Sequence, residues 1–226
     1  MYTLSIDTST TVCSVAVHQS GNLIHFTQHK ADKSHSELLM FLINEVCRLS
    51  QISLQDLSAI IIGKGPGSYT GLRIASATAK GLCFALEIPL VAIDSLDSLA
   101  YNCRYFNGLI CPMIDARRME VFTALYEGIS FKKIDSTRSE VIDSNFLNSY
   151  LVDQKILFIG DGSNKCQSVI DNPNAIFSDN VVPNAEQVGY LGYQKLLNQE
   201  FEDLAYFVPS YSKEFYTSAG KSIVKG

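Results

Sequence analysis

Glycine and proline are concentrated in residues 63–71 (GKGPGSYTG), a composition that could form a phosphate-binding loop. A nucleotide-binding P-loop needs a lysine directly after its last glycine, and that lysine is absent here. A dinucleotide-binding loop needs a glycine where this chain has Ser68, and Pro66 removes one backbone N–H, although Asp94 imitates the ribose-binding acid. The alternative is a structural turn, in which Pro66 fixes φ, the glycines adopt positive φ and Thr70 caps the next helix.

A second polar loop contains Asp7, Thr8 and Ser9 and separates the first two predicted strands. In actin-like ATPases a hairpin at this place holds phosphate, with the acid supporting a metal ion and the hydroxyl groups contacting the phosphate. We interpret the three residues as a vestigial nucleotide site, and the alternative is an ordinary polar turn. Gly160 and Gly162 follow a later strand and could form the opposing phosphate loop or a simple turn.

The residues that usually bind metals are not arranged as a site. His25 and His29 could chelate on a helix, but residues 23–29 alternate as a strand, in which four residues span about 13 Å. The six cysteines form no C-x-x-C pair, and several lie in apolar runs. We therefore predict buried, reduced thiols, no metal site and no cofactor bound by this chain alone.

Composition limits the classes of function. The 226 residues carry a formal net charge of −5, and the largest basic cluster is Lys132 with Lys133, which is too small to hold nucleic acid alone. No apolar run approaches the roughly 20 residues that span a bilayer. The first residues contain no basic or apolar leader, so we expect a cytoplasmic protein without membrane contact.

The elements that position these loops follow a recognisable order. Three strands are predicted first, then a helix, a strand, a second helix and a strand. The predicted ranges are 2–6, 12–17, 23–29, 38–49, 57–62, 72–86 and 90–93. Ser34 and Glu37 form a capping box before the first helix. This order is typical of a ribonuclease-H-like half of an actin-like α/β fold.

The pattern begins again at about residue 108. Strands are predicted at 109–114, 120–126 and 156–159, and helices at 143–150, 163–170 and 184–198, the last with Asn184 as its cap. We therefore expect two subdomains, 1–105 and 106–226, and the final helix could pack back on the first subdomain. The tail after Pro209 is predicted to be extended or loose.

The first two helices carry more apolar surface than one core needs. Around residues 38–49 the apolar arc is about twice as wide as the 100° stripe of a surface helix. The second helix has an additional face of small residues, which permits close approach of another helix. Coverage by the second subdomain is the alternative, but we predict a partner interface, with Ile43→Asp or Ala77→Glu weakening association in a folded monomer. The predicted interface residues are Met40, Ile43, Cys47, Arg73, Ile74, Ala77 and Gly81.

Four segments together resemble the bacterial TsaB (YeaZ) family. The signature loop contains Gly65, Pro66, Gly67, Tyr69, Thr70 and Gly71. The other matching segments are 6–10 (IDTST), 34–39 (SHSELL) and 114–122 (IDARRMEVF). The resemblance covers residues 1 to about 126, and nothing is carried over to the C-terminal third.

The resemblance implies an actin-like fold of two subdomains. It also implies a scaffold or activator role in making N6-threonylcarbamoyladenosine next to the tRNA anticodon, from threonine, bicarbonate and ATP. Family members bind the catalytic subunit TsaD through their first two helices, the ATPase TsaE joins the pair, and the same helices form a homodimer when the chain is alone. ATP and a divalent metal are then used by the partner subunits, and tRNA is reached only through the complex.

The catalytic relative carries two metal-binding histidines in a segment that matches residues 89–99 here. Their positions are occupied by Ser95 and Leu99, whose side chains cannot replace two imidazole ligands. We therefore expect no independent transferase or protease activity. The alternative, from another class, is a free-standing nucleotide-dependent enzyme of the actin-like fold, an ATPase or a small kinase, which would bind and turn over ATP by itself.

Overall fold

The computed structural model describes residues 1–30 and 35–210, which form two five-stranded mixed sheets. In the first sheet the strand order is β3-β2-β1-β4-β5. Its strands are β1 (Tyr2–Asp7), β2 (Val12–Gln19), β3 (Asn22–Lys30), β4 (Leu57–Gly63) and β5 (Leu90–Ile93). Helices α1 (His35–Leu49) and α2 (Tyr69–Leu86) and a 3-10 turn (Leu54–Asp56) connect them.

The second sheet repeats this plan with the order β8-β7-β6-β9-β10. Its strands are β6 (Leu109–Asp115), β7 (Glu120–Glu127), β8 (Lys133–Val141), β9 (Ile156–Ile159) and β10 (Ala175–Ser178). The remaining helices are α3 (Ser95–Tyr101), α4 (Asn148–Leu151), α5 (Ser163–Gln167) and α6 (Ala185–Leu197). In each sheet three antiparallel strands are followed by two parallel ones, so the predicted actin-like α/β fold is confirmed.

The first sheet is covered on both faces, which explains its apolar strands. Leu4 and Ile6 of β1 belong to the core under α1 and α2, whereas Ser5 contacts His18 on the opposite face, beneath α6. Strand residues alternate between the two faces of a sheet. Because helices cover both faces here, the side chains on each face of β1 are buried. The apolar run of β4 is buried for the same reason, as expected for a parallel strand.

Two helices each pack on the sheet that the other half of the chain forms. Helix α3 packs on the second sheet, where Leu96 and Leu99 join its core, and α6 packs on the first sheet, where Val188 contacts the strand residues. Asn184 caps α6 as predicted, since its Oδ1 accepts a hydrogen bond of 3.0 Å from the N–H of Gln187. A division at residue 105 remains a prediction, because each half contributes a helix to the other.

Several predicted elements need correction. Strands β8 and β10 and helix α3 were not predicted, and the helices expected at 143–150 and 163–170 shorten to α4 and α5. Strand β8 is a polar edge strand that pairs with β7, none of its residues is buried, and its Arg138 forms ion pairs with Asp135 and Glu140. Helix α3 has only seven residues, too few for a clear helical period.

Two predictions fall on residues that are not described. Ser34, the predicted cap of α1, lies outside the described residues, as does the tail from residue 211. Within the described ranges, none of the helices has the length and apolar character needed to cross a membrane.

Candidate functional site

The inner side of α1 is occupied by its own chain. Leu39, Leu42, Ile43, Val46 and Cys47 are buried against the first sheet, with Ile43 0% and Cys47 5% exposed. The prediction that Ile43 and Cys47 lie on a partner surface is therefore wrong. The wide apolar arc is used internally, because α1 contacts the sheet and α2, and Phe207 from the C-terminal segment packs into the same core.

The outer side of the two helices is an open surface, which we call the helix-pair face. On α1, Met40 and Phe41 are 40% and 60% exposed, and on α2 Phe84 is 80% exposed. Ala77 and Gly81 are exposed on α2, one helical turn apart, and a Cβ added to Gly81 would meet no heavy atom within 4 Å. The face therefore combines large apolar side chains with a small-residue stripe that admits another backbone closely.

The two remaining predicted interface residues differ in their position. Arg73 is exposed on α2, and its guanidinium lies 4.1 Å from the centre of the Tyr69 ring, which links the helix-pair face to the signature loop. Ile74 is half-buried and packs mainly against the first core, so it forms only the edge of the face. Sequence reasoning missed Phe41 and Phe84, although an aromatic residue on the polar side of a helix is a detectable signal.

The signature loop packs directly onto the Asp7–Thr10 loop. The N–H of Ser68 donates a 2.6 Å hydrogen bond to the carbonyl oxygen of Ser9. A Cβ on Gly67 would lie 2.2 Å from that same oxygen, and a Cβ on Gly71 would lie 2.0 Å from the carbonyl oxygen of Thr8. These glycines are therefore needed for close approach of two backbones.

The start of α2 differs in detail from the prediction. Its cap is Ser68, whose Oγ accepts a 3.3 Å hydrogen bond from the N–H of Gly71, and Thr70 lies exposed within the first turn. Pro66 follows a cis peptide bond from Gly65, and both residues are buried. The loop is thus a structural turn and helix cap, the alternative that the sequence left open.

In an actin-like ATPase the hydroxyl groups of this loop would face a phosphate. Here they form hydrogen bonds with other groups of the same chain. Thr8 Oγ1 donates a 2.7 Å hydrogen bond to the carbonyl oxygen of Gly71, and Ser9 Oγ donates one of the same length to Asp7 Oδ1. The N–H of Ser9 donates a further bond of 3.0 Å to Asp7 Oδ1. Asp7, Thr8 and Ser9 are almost fully buried, so this loop is packed beneath α2.

The carboxyl group of Asp7 in this loop has a pKa well above its ordinary value. Burial raises its pKa to about 6, and the hydrogen bonds from Ser9 offset only part of that shift. Oδ2 has no hydrogen-bond partner among the described residues, and a Cβ on Gly63 would lie 2.1 Å from it. Gly63 thus leaves room for a carboxyl group that is fully buried.

Ser95 and Leu99, which the sequence resemblance matches to the metal histidines of the catalytic relative, are both buried in the fold. Ser95 clamps the signature loop, since its Oγ accepts a 3.2 Å bond from the N–H of Gly65 and its own N–H donates one of 2.9 Å to the Gly65 carbonyl. Leu99 is fully buried in the core of the second sheet. Over residues 1–30 and 35–210, no group of three or more His, Cys, Asp or Glu is placed to hold a metal ion.

The second glycine pair lies at the end of β9. Between its glycines, Asp161 Oδ1 accepts a 2.9 Å hydrogen bond from the N–H of Asp115, and Lys165 forms an ion pair with Asp115. A Cβ on Gly160 would lie 2.3 Å from the carbonyl oxygen of Met113. This loop therefore packs the end of β9 against the end of β6. These contacts agree with a simple turn, one of the two alternatives for this glycine pair.

The sequence model of TsaD, described as tRNA N6-adenosine threonylcarbamoyltransferase, matches residues 26–215. The chain belongs to this family. A relative named tRNA threonylcarbamoyladenosine biosynthesis protein TsaB, from Bacillus subtilis (strain 168), is 42% identical over 127 residues, which are 56% of each chain. The protein of the same name from Escherichia coli (strain K12) is 35% identical over 130 residues, 56% of this chain and 55% of that one. The chain thus aligns with about half the length of the curated relatives it matches.

The solved structure of YeaZ from Pseudomonas aeruginosa is similar over nearly the whole chain. It superposes with a TM-score of 0.77 at 25% identity and covers 93% of this chain and 99% of that one. The resemblance to TsaB (YeaZ) proteins inferred from the sequence motifs is therefore confirmed.

His18 is a second perturbed group that the motifs did not reveal. It lies beneath α6, where a Cβ on Gly189 would be 2.1 Å from its Cε1, and its ring meets the edge of Tyr190 with 5.1 Å between ring centres. Its Nε2 has no hydrogen-bond partner among the described residues. Burial lowers the pKa of His18 to about 4, so the ring is neutral in the fold.

Asp7 and His18 are expected to give opposing pH dependences of stability. The contribution of neutral His18 is present above pH 6.5 and is lost as the pH falls through about 4, because the unfolded chain binds the additional proton. The contribution of protonated Asp7 is present below pH 3.8 and is lost as the pH rises through about 6. Each shift corresponds to on the order of 3 kcal/mol at about 1.4 kcal/mol per pH unit. The two effects should nearly cancel between pH 4 and pH 6.

The variant Asp7→Asn separates the two groups. Relative to the wild type, we expect its free energy of unfolding in urea to rise by on the order of 3 kcal/mol more between pH 4 and pH 6.5, because the opposing effect of Asp7 is removed. Asp153→Asn is the matched control at an exposed carboxylate and should retain the wild-type profile. An Asp7→Asn profile with the same pH dependence as that of the wild type would contradict the assignment.

Proposed function

We propose that this chain is a scaffold or activator subunit of a complex that makes threonylcarbamoyladenosine next to the anticodon of tRNA, and that it binds a TsaD-like catalytic subunit. The family and the names of the curated relatives support the pathway. The observation that carries the proposal is the helix-pair face, where Phe41 of α1 and Phe84, Ala77 and Gly81 of α2 are all exposed on two helices that contact each other.

Such a face favours a protein partner over a small ligand. Large apolar side chains grouped on one surface are a feature of interaction sites in soluble proteins. The open stripe at Gly81 suits a helix of the partner, since small residues allow two helices to approach closely. Because the chain matches the sequence model of the transferase itself, a partner of the same fold would meet this face with its own equivalent helices.

The same proposal assigns the chemistry to the partners. Ser95 and Leu99 occupy the positions of the metal ligands and are tightly packed, and the hydroxyls of Thr8 and Ser9 donate to acceptors within the chain. In our proposal this chain is non-catalytic and binds no cofactor of its own, while ATP and a divalent metal serve the TsaD-like subunit and a TsaE-like ATPase. The complex is cytoplasmic, tRNA is reached through it, and the chain forms a homodimer when alone.

Reconstitution tests the proposal. The catalytic subunit, the ATPase and the enzyme that makes the threonylcarbamoyl adenylate are combined with tRNA, threonine, bicarbonate and ATP, with and without this chain. We expect modified adenosine, measured by nucleoside mass spectrometry, to form efficiently only when the chain is present. Equal product without it would refute the scaffold role. Steady ATP hydrolysis by the pure chain would instead support the free-standing enzyme.

A further inference from the structure

The segment that follows α6 lies along α2, and we call residues 202–210 the C-terminal strap. At one end the N–H of Glu202 donates a 2.9 Å hydrogen bond to the carbonyl oxygen of Leu90, at the start of β5. At the other end the N–H of Ser210 donates one of 2.8 Å to the carbonyl oxygen of Lys64, just after β4. Since α2 runs from the end of β4 to the start of β5, the strap runs antiparallel to it over most of its length.

Lys80 fastens the middle of the strap. Its ammonium group donates hydrogen bonds of 3.2 Å to the carbonyl oxygen of Ala205 and 3.3 Å to that of Phe207. Lys80 forms no ion pair with a carboxylate in the part of the chain that the structure describes. Phe207 itself is only 7% exposed and fills the core beneath α1 and α2.

The outward side of the strap is apolar and held in a fixed conformation. Asp203 Oδ1 accepts hydrogen bonds from the N–H groups of Ala205 and Tyr206, and the Asp203 carbonyl accepts one from Phe207. Beyond this turn the residues alternate, so Phe207 points inward while Tyr206 and Val208 remain 83% and 70% exposed.

This apolar side is continuous with the helix-pair face. Phe84 follows Lys80 by one helical turn, so it lies beside the residue that fastens the strap. It also lies on the exposed side of α2 together with Ala77 and Gly81. The open stripe of α2 is therefore bordered by α1 on one side and by Phe84 and the strap on the other.

We infer that the C-terminal strap is a third element of the partner surface and that Lys80 is the positioning residue that holds it there. The occupant is the TsaD-like subunit, so the inference rests on the proposed function. A partner helix that enters the stripe at Gly81 meets Met40 and Phe41 on one flank and Phe84, Tyr206 and Val208 on the other. Without the strap the second flank would end at Phe84.

The test measures the affinity of the full chain for the purified catalytic subunit encoded by the same genome. Tyr206→Ser removes an exposed ring without touching the core, and we expect a loss of about tenfold, typical of an aromatic anchor in an interface. Tyr105→Ser is the matched control, because Tyr105 is 80% exposed and follows α3, which packs on the second sheet. Its affinity should equal that of the wild type.

Lys80→Met keeps the apolar stem and removes the two hydrogen bonds. We expect about tenfold weaker binding, faster amide exchange at Phe207 and Ser210 in the free chain, and recovery of both properties in Lys80→Arg. Lys195→Met is the matched control, since Lys195 also donates to a backbone carbonyl, that of Ala92, but from α6 on the opposite face of the sheet. Faster exchange without loss of affinity would show that the strap is not part of the surface.

The outcomes separate this inference from the proposed function. If Ala77→Glu abolishes binding while Tyr206→Ser and Lys80→Met bind like the wild type, the strap inference is wrong and the helix-pair face stands. If Ala77→Glu also binds like the wild type, or the catalytic subunit does not bind the wild-type chain, both are wrong. Reduced binding in all three variants, with both controls unchanged, supports both.

Discussion

Replacing Ile43 by aspartate is expected to unfold the chain. Ile43 is 0% exposed and packs in the core between α1 and the first sheet. The substitution removes a buried aliphatic side chain and places a carboxyl group among buried apolar side chains. The combined cost is about 5 kcal/mol or more, comparable with the whole stability of a typical domain. The chain should already be unfolded at 25 °C, so circular dichroism should show no cooperative unfolding transition on heating from that temperature.

The adjacent variant Phe41→Asp provides the control. Phe41 is 60% exposed on the same helix, so its replacement should leave the melting temperature within a few degrees of the wild type. A folded Ile43→Asp chain that melts like the wild type would show that Ile43 does not face the core. This result would restore the original hypothesis that Ile43 belongs to the partner surface.

Replacing Ala77 by glutamate is expected to abolish association with the catalytic subunit. Ala77 is exposed in the middle of the helix-pair face, and glutamate is a good helix former, so α2 itself should tolerate the change. In the complex the new carboxylate would lose its hydration among apolar side chains, which costs about 3 kcal/mol or more and weakens binding at least about 100-fold. Isothermal titration calorimetry with the catalytic subunit measures this loss.

The matched control for Ala77→Glu is Gln194→Glu. Gln194 is exposed on α6, which covers the opposite face of the first sheet. This variant adds the same negative charge and should bind with wild-type affinity. If both variants bind like the wild type, the helix-pair face is not the docking surface.

The sequence predicted the fold well where local patterns match long-range packing. The alternating strands and the apolar run of β4 were correctly predicted, because alternation marks a strand with one apolar face and a continuous apolar run marks a strand buried on both faces. Asn184 was correctly predicted as a cap, because capping is a local interaction. Strand β8 was not predicted, because it lies at an exposed edge where none of its residues is buried and its sequence is mostly polar.

The partner surface was only partly predictable, because it depends on contacts between distant residues. A helical wheel showed a wide apolar arc on α1 but could not show that Phe207, more than 150 positions away, fills the same core. Ile43 and Cys47 were therefore assigned outward although they face inward. Ala77 and Gly81 were placed correctly on the exposed side, because small residues there serve no internal contact.

The signature loop illustrates a similar limit. Its composition left a nucleotide loop and a structural turn as alternatives, and only the structure shows that Gly67 and Gly71 lie against Ser9 and Thr8. That contact joins residues about 60 positions apart in the chain. The choice of Ser68 rather than Thr70 as the cap depends on where α2 begins, which is the least certain feature of a helix predicted from its pattern.

The most direct measurement is the initial rate of threonylcarbamoyl transfer to tRNA in the reconstituted system, compared between the wild-type chain and Ala77→Glu. The variant is first shown to fold by circular dichroism. We predict that the wild type stimulates the transfer strongly and that Ala77→Glu gives the same rate as a reaction without the chain. A rate with Ala77→Glu equal to that with the wild type would contradict activation through the helix-pair face.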